Sequence, residues 1–234
     1  MQEECEVGPR SRHTICVNDR IQNSDVSVKV RSDRPVVAER AMYFDLLGSG
    51  RKGGHACMGS NQPRTEWHFA EGYTGGDFDT FYLVQNPDDR EARLTVSFMG
   101  NAGEVDELYY TLAPHSRTTI WMNLEPGLDC GEFCVKMESD LPVVAERAVY
   151  FGYKGARGGT VAEGASATGL TWYFAEGYTA GDFDTWVLLA NPDEKEAEVT
   201  LEFMLPDATT RKIDIVVPGR SRGTVHVDDL PGLE

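Results

Sequence analysis

Residues 67–99 read WHFAEGYTGGDFDTFYLVQNPDDREARLTVSFM, and residues 172–204 read WYFAEGYTAGDFDTWVLLANPDEKEAEVTLEFM. The two stretches agree at 21 of 33 positions and lie 105 residues apart. Self-similarity at one fixed period marks a repeated structural unit. Inside each copy, Leu94-Thr95-Val96-Ser97-Phe98 and Val199-Thr200-Leu201-Glu202-Phe203 alternate apolar and polar residues, the period of a half-buried strand. Val26-Ser27-Val28-Lys29-Val30 and Ile213-Asp214-Ile215-Val216-Val217 alternate too. Turn clusters at Asn86-Pro87-Asp88-Asp89 and Asn191-Pro192-Asp193-Glu194 separate the runs. No window carries a helical period with caps. The chain is predicted to be all-β, about seven short strands per unit, as tandem immunoglobulin-like β-sandwich modules. A five- or six-stranded barrel is the rival.

A second block repeats, SDRPVVAERAMYF from Ser32 and SDLPVVAERAVYF from Ser139, identical at 11 of 13 positions. A third occurs three times, as PRSRHTI from Pro9, PHSRTTI from Pro114 and PGRSRGTV from Pro218. The chain is out of phase with its unit. Residues 1–63 hold the second half of a module, 64–168 a complete one, and 169–234 a first half ending in the duplicated Pro218 segment. Two readings follow: the chain is cut from a longer tandem array, or its two halves complement each other, within one chain or between neighbours. Pro9, Arg12, Pro218 and Arg222 mark the assembly hairpins. Folding each of these segments as a hairpin sets Cys5 opposite Cys16, Tyr110 opposite Trp121 and Asp214 opposite His226.

Lys plus Arg is 22 against 38 Asp plus Glu, a net charge of −16. That balance argues against nucleic acid, whose phosphates need cationic partners, and against anionic lipid. No apolar run approaches the roughly 18 residues that span a bilayer, and Met1–Cys5 has no signal-peptide core. Residues 1–63 carry +1 and residues 169–234 carry −8, compatible with head-to-tail association. With five cysteines, bridges at Cys5–Cys16 and Cys130–Cys134 are expected, leaving Cys57 over. Oxidised cysteines would place the chain outside the cell.

The acids shared by the copies are Glu71, Asp77 and Asp79, matched by Glu176, Asp182 and Asp184. The strand pairs Glu39-Arg40 and Glu146-Arg147 accompany them. Charges in an apolar strand need partners, so structural ion pairs are expected at Glu39, Arg40, Glu146, Arg147, Glu71 and Glu176. A glycosidase would need two acids facing a cleft. Asp77, Asp79, Asp182 and Asp184 alternate with phenylalanine and have the spacing to offer oxygens to calcium; the competing reading is turn aspartates capping amides. Trp67, Phe69, Tyr73, Trp172, Phe174 and Tyr178 fit a sandwich core, with a sugar-stacking platform as the alternative. The histidines are scattered, and no Ser/His/Asp arrangement emerges.

The motifs W-[HY]-F-A-E-G-Y-T-x-G-D-F-D-T, N-P-D and P-V-V-A-E-R-A-x-Y-F resemble tandem repeats of large secreted or cell-surface bacterial proteins. The resemblance covers essentially the whole chain. It implies a non-enzymatic extracellular module of a stalk, fibre or filament, whose partners are itself and neighbouring repeats. The alternative is an adhesion module that binds surface glycans, directly or through calcium.

Overall fold

The computed structural model describes residues 2–46, 50–128 and 131–233. Among them there is no α-helix. The first strands, β1 (Glu39–Leu46) and β2 (Arg51–Met58), form a hairpin. Seven strands follow in the complete unit: β3 (Arg64–Phe69), β4 (Asp77–Asn86), β5 (Ala92–Met99), β6 (Val105–Leu112), β7 (Ser116–Trp121), β8 (Cys134–Tyr153) and β9 (Ala156–Glu163). The last four are β10 (Trp186–Asn191), β11 (Ala197–Met204), β12 (Thr210–Val217) and β13 (Ser221–His226).

Strands β3 to β9 form a sandwich whose two faces share β8. The first part of β8 pairs with β5 and β3, and its second part pairs with β4 and β9. β6 extends the first face beyond β5, and β7 extends the second beyond β4. The core follows from alternation. Leu94, Val96 and Phe98 of β5 lie beside Trp67, Phe69, Val135 and Met137 on one face and pack in one core with Tyr82, Val84 and Ile120 of the other face and with Phe133. Trp67 is 1% exposed, and its indole N–H donates to the Val143 carbonyl at 3.0 Å, as a buried polar atom requires.

The same polar staples recur one period later. Buried Asn86 donates through Nδ2 to the carbonyls of Arg90, Leu112 and Ala113 at 2.8, 3.2 and 3.1 Å. Asn191 repeats this toward Lys195, Val217 and Pro218 at 2.7, 3.1 and 3.0 Å. Thr80 and Thr185 each donate to the carbonyl seven residues back, both at 2.6 Å. Turns of 3-10 type at Val17–Asp19, Met122–Leu124 and Val227–Asp229 share the spacing.

Three expectations about local pairing are corrected. The Pro114 and Pro218 segments are not hairpins. β6 pairs with β5 while β7 crosses to pair with β4, so Trp121 lies opposite Phe81 and not Tyr110. Likewise His226 lies opposite Trp186, and Asp214 opposite Thr200. The turn is tight, but it is an arch between the two faces. The Pro9 segment keeps the same turn, with Arg10 at φ 55° as His115 has 49° and Arg220 51°, yet its arms form no strand pair among the described residues and are joined by the Arg20–Glu3 ion pair at 3.0 Å. Cys5 and Cys16 are exposed free thiols, since without a ladder between the arms nothing sets the two side chains opposite each other. Cys130 lies outside the described residues, and its expected partner Cys134 is a buried free thiol.

The terminal halves lack what the complete unit has. β10 pairs with β13, and β11 with β12, as separate two-stranded sheets. Neither gains the central strand that β8 supplies to β4 and β5. Val26–Val30, expected as a strand, is unpaired.

Candidate functional site: the junction between the halves

The most constrained polar groups lie where the terminal halves meet the complete sandwich. β13 delivers Arg222, which is 4% exposed. Its Nη1 donates to the Gly72 carbonyl at 2.9 Å. Its Nη2 meets Glu71 Oε2 at 3.2 Å, and Glu132 stands 3.8 Å away. Gly72 can offer that carbonyl because it lacks a side chain; a Cβ there would sit 2.3 Å from the Phe133 ring. Beside it, the Cys134 thiol touches the carbonyls of Met99 and Ser221 at 3.6 Å each. Burial pushes that thiol up to about 12, so it is neutral and unreactive at physiological pH.

A second cluster gathers at the start of β4. The Arg51 guanidinium binds both the Asp77 and Asp79 carboxylates and donates to the Asp77 carbonyl at 3.0 Å. Trp121 Nε1 reaches Asp79 at 3.2 Å. The acids expected as calcium ligands thus face a fixed cation, which leaves a hard metal ion at a disadvantage.

The equivalent acid of the second copy, Asp184, is held by Lys154 at 2.8 Å and by His226 Nε2 at 3.2 Å. His226 stacks on Trp186 at 4.0 Å and also meets Asp229 at 2.9 Å. Its pKa is raised, chiefly by the Asp229 hydrogen bond against an opposing desolvation. Asp184, His226 and Asp228 bring three potential ligand atoms within 4.8 Å of one another. Asp228 is already used, accepting the Thr185 N–H at 2.8 Å. Asp182 is exposed and belongs to neither arrangement.

The third cluster joins the β1–β2 hairpin to the complete sandwich. Arg40 pairs with Glu146 at 2.7 Å, and Phe44 meets Tyr150 edge-on at 5.0 Å. His55 packs against both rings, and burial depresses its pKa. Burial raises the neighbouring Cys57 thiol, so the two do not form a thiolate–imidazolium pair. Arg147 donates to the Glu71 carbonyl at 3.3 Å. Glu39 and Glu176 are exposed and make no ion pair among the described residues.

The aromatic candidates divide by copy. Trp67 and Phe69 are core, and Tyr73 is half-buried against Phe78. Trp172, Phe174 and Tyr178 are 57%, 74% and 56% exposed. Sequence reading missed Asn86, Thr80, Arg51 and Asn123, whose Oδ1 accepts the Thr80 N–H at 2.9 Å and whose Nδ2 donates to the Phe78 carbonyl at 2.7 Å. For the first two the signal was present as identity between the copies.

No family model and no curated protein matches the chain. Among solved structures, the crystal structure of Thermotoga maritima 1070 is similar over 45% of this chain and 96% of its own, with 16% identity and a TM-score of 0.42. The Anabaena sensory rhodopsin transducer is similar over 36% of this chain and 87% of its own, at 18% identity and a TM-score of 0.33.

Proposed function

We propose that the chain is a non-enzymatic structural protein, a β-module segment of an extracellular stalk or fibre. One observation carries the reading: four of the six acids shared by the copies are spent on architecture, and the other two, Glu176 and Asp182, are exposed. Glu71 is held by Arg222, Asp77 and Asp79 by Arg51, and Asp184 by Lys154 and His226. A carboxylate already engaged by a fixed guanidinium is not free to face a substrate. The exposed aromatics of the second copy are the counterparts of core residues, which favours an unfinished core over a sugar platform. Extracellular placement rests on the resemblance of the repeated blocks to surface proteins; the free thiols at Cys5 and Cys16 withdraw the cysteine argument.

The test combines negative-stain microscopy of the purified chain with calorimetric titration of calcium and of mixed surface glycans. Particles of uniform size that associate in rows at high concentration, with no heat from either ligand, support the reading. Glycan binding that disappears in Trp172→Ala would replace it with the adhesion reading. Glycoside turnover abolished by Glu71→Gln would replace it with a hydrolase.

A further inference from the structure

We propose that residues 26–45 form the missing central strand of a second sandwich, inserted between β10 and β11 of the same chain. This goes beyond the structural role and does not depend on it.

The unfinished surfaces match. Val28, Val30 and Val36 are 53–61% exposed, whereas Val135, Met137 and Val143, their counterparts 107 residues on, are buried. Trp172 and Phe174 are exposed where Trp67 and Phe69 are buried. β10, β11 and β1 each have one edge without a partner strand among the described residues, and open strand edges are templates for pairing.

The complete sandwich dictates the register. Val135 pairs with Phe69 and Phe98, and Met137 with Trp67 and Val96. Carried across the repeat, Val28 lies between Phe174 and Phe203, and Val30 between Trp172 and Leu201. Ala148 pairs with Phe81, which sets Ala41 beside Trp186. β1 keeps β2 on its other edge, as β8 keeps β9.

The same chain is the occupant because the segments flanking the strand and the acceptor half are anchored to the same complete sandwich. Arg117 pairs with Asp25 at 2.9 Å, the counterpart of Arg222 with Glu132 at 3.8 Å. Arg51, next to the β1–β2 turn, holds Asp79, while Lys154, in the β8–β9 turn, holds Asp184. Each pair has the relation expected of two modules about a pseudo-two-fold axis. At the other end, Ser60 and Gln62 line one cavity of about 550 Å³ with Thr171 and Trp172, so the exit of one half meets the entry of the other. Tethering then makes the pairing intramolecular, at an effective concentration on the order of millimolar.

The experiment is hydrogen exchange of the whole chain read by mass spectrometry, with light-scattering mass measured across a dilution series. The expected result is a 25.9 kDa monomer in which amides of residues 28–37, 172–174 and 199–203 exchange at least ~100-fold more slowly than an unpaired chain. Val30→Asp should release that protection while leaving residues 94–98 slow. Unretarded exchange at 28–37 in the unsubstituted chain overturns the proposal. Protection found only in species of twice the mass or more, and lost on dilution, overturns it in favour of a second copy donating the strand.

Discussion

Asn86 is the side chain on which the closing of the sandwich most depends. It is fully buried and spends two amide protons on three carbonyls, while its Oδ1 accepts the Asp88 N–H at 3.0 Å. Asn86→Ala leaves the carbonyls of exposed Arg90 and Ala113 free to turn to water, but Leu112 is buried and its carbonyl loses this donor. The four hydrogen bonds lost with the side chain, at about 0.5–1.5 kcal/mol each, come to about 3 kcal/mol. A loss of about 3 kcal/mol is a large share of a stability of about 5–15 kcal/mol, and corresponds to roughly 10 °C in Tm. Asn86→Asp is nearly isosteric yet turns a carboxylate toward those carbonyls, so it should cost more. Its folded pKa would lie above the unfolded value. The protonated form is then the tolerated one, and stability is present below the unfolded pKa and lost as pH rises through the folded one. Urea unfolding followed by circular dichroism at pH 4 and pH 7 reads both variants. Asn86→Ala within about 0.5 kcal/mol of the parent, or an Asn86→Asp deficit that does not shrink at pH 4, would refute the reasoning.

Arg222→Met removes a buried guanidinium and strands Glu71, and breaking such a pair costs about 3–5 kcal/mol; thermal denaturation should show the loss, with Arg220→Met, at an exposed pair, nearly neutral. The His226 pKa is raised, so its contribution is complete below the unfolded value near 6.5 and declines as pH rises through the folded value. His226→Asn should flatten that part of a Tm-against-pH curve. Aromatic disulfide reagents at pH 8 should modify Cys5 and Cys16 rapidly and reach Cys134 only on unfolding, since it is buried and held protonated.

Some of this architecture was legible and some was not, for physical reasons. β5, β11 and β12 alternate cleanly and were readable as strands. β8, at 20 residues, was not readable as one strand, because Pro142 interrupts it and proline signals an edge or a break. In the structure that proline sits where β8 changes partners, near the register shift between Arg64 and Glu66. The Pro-x-Ser turns read as hairpins because turn chemistry is local, whereas pairing or parting of the arms is decided by the two sheets they enter. Ion pairs were foreseeable as a need of Glu71 and Arg40, but their partners were not. Arg222 and Glu71 stand 151 residues apart, and only folding brings them together.

The distribution of identity between the copies now has a mechanical explanation. Asn86 and Asn191, and Thr80 and Thr185, tie a strand to the loop that closes over it, so each module needs its own set. Between-module contacts need only complementary charge, and there the residues differ. Arg51 serves Asp79 where Lys154 serves Asp184, and within the modules Trp121 reaches Asp79 where His226 reaches Asp184. The substitution of histidine for tryptophan at that point gives one side of the junction a titratable group and leaves the other without one. The arginine side holds its charge at any accessible pH. Raising pH through the His226 transition should therefore loosen the hold of β13 on Asp184, with Lys154 and Arg51 still tying their acids across the junctions.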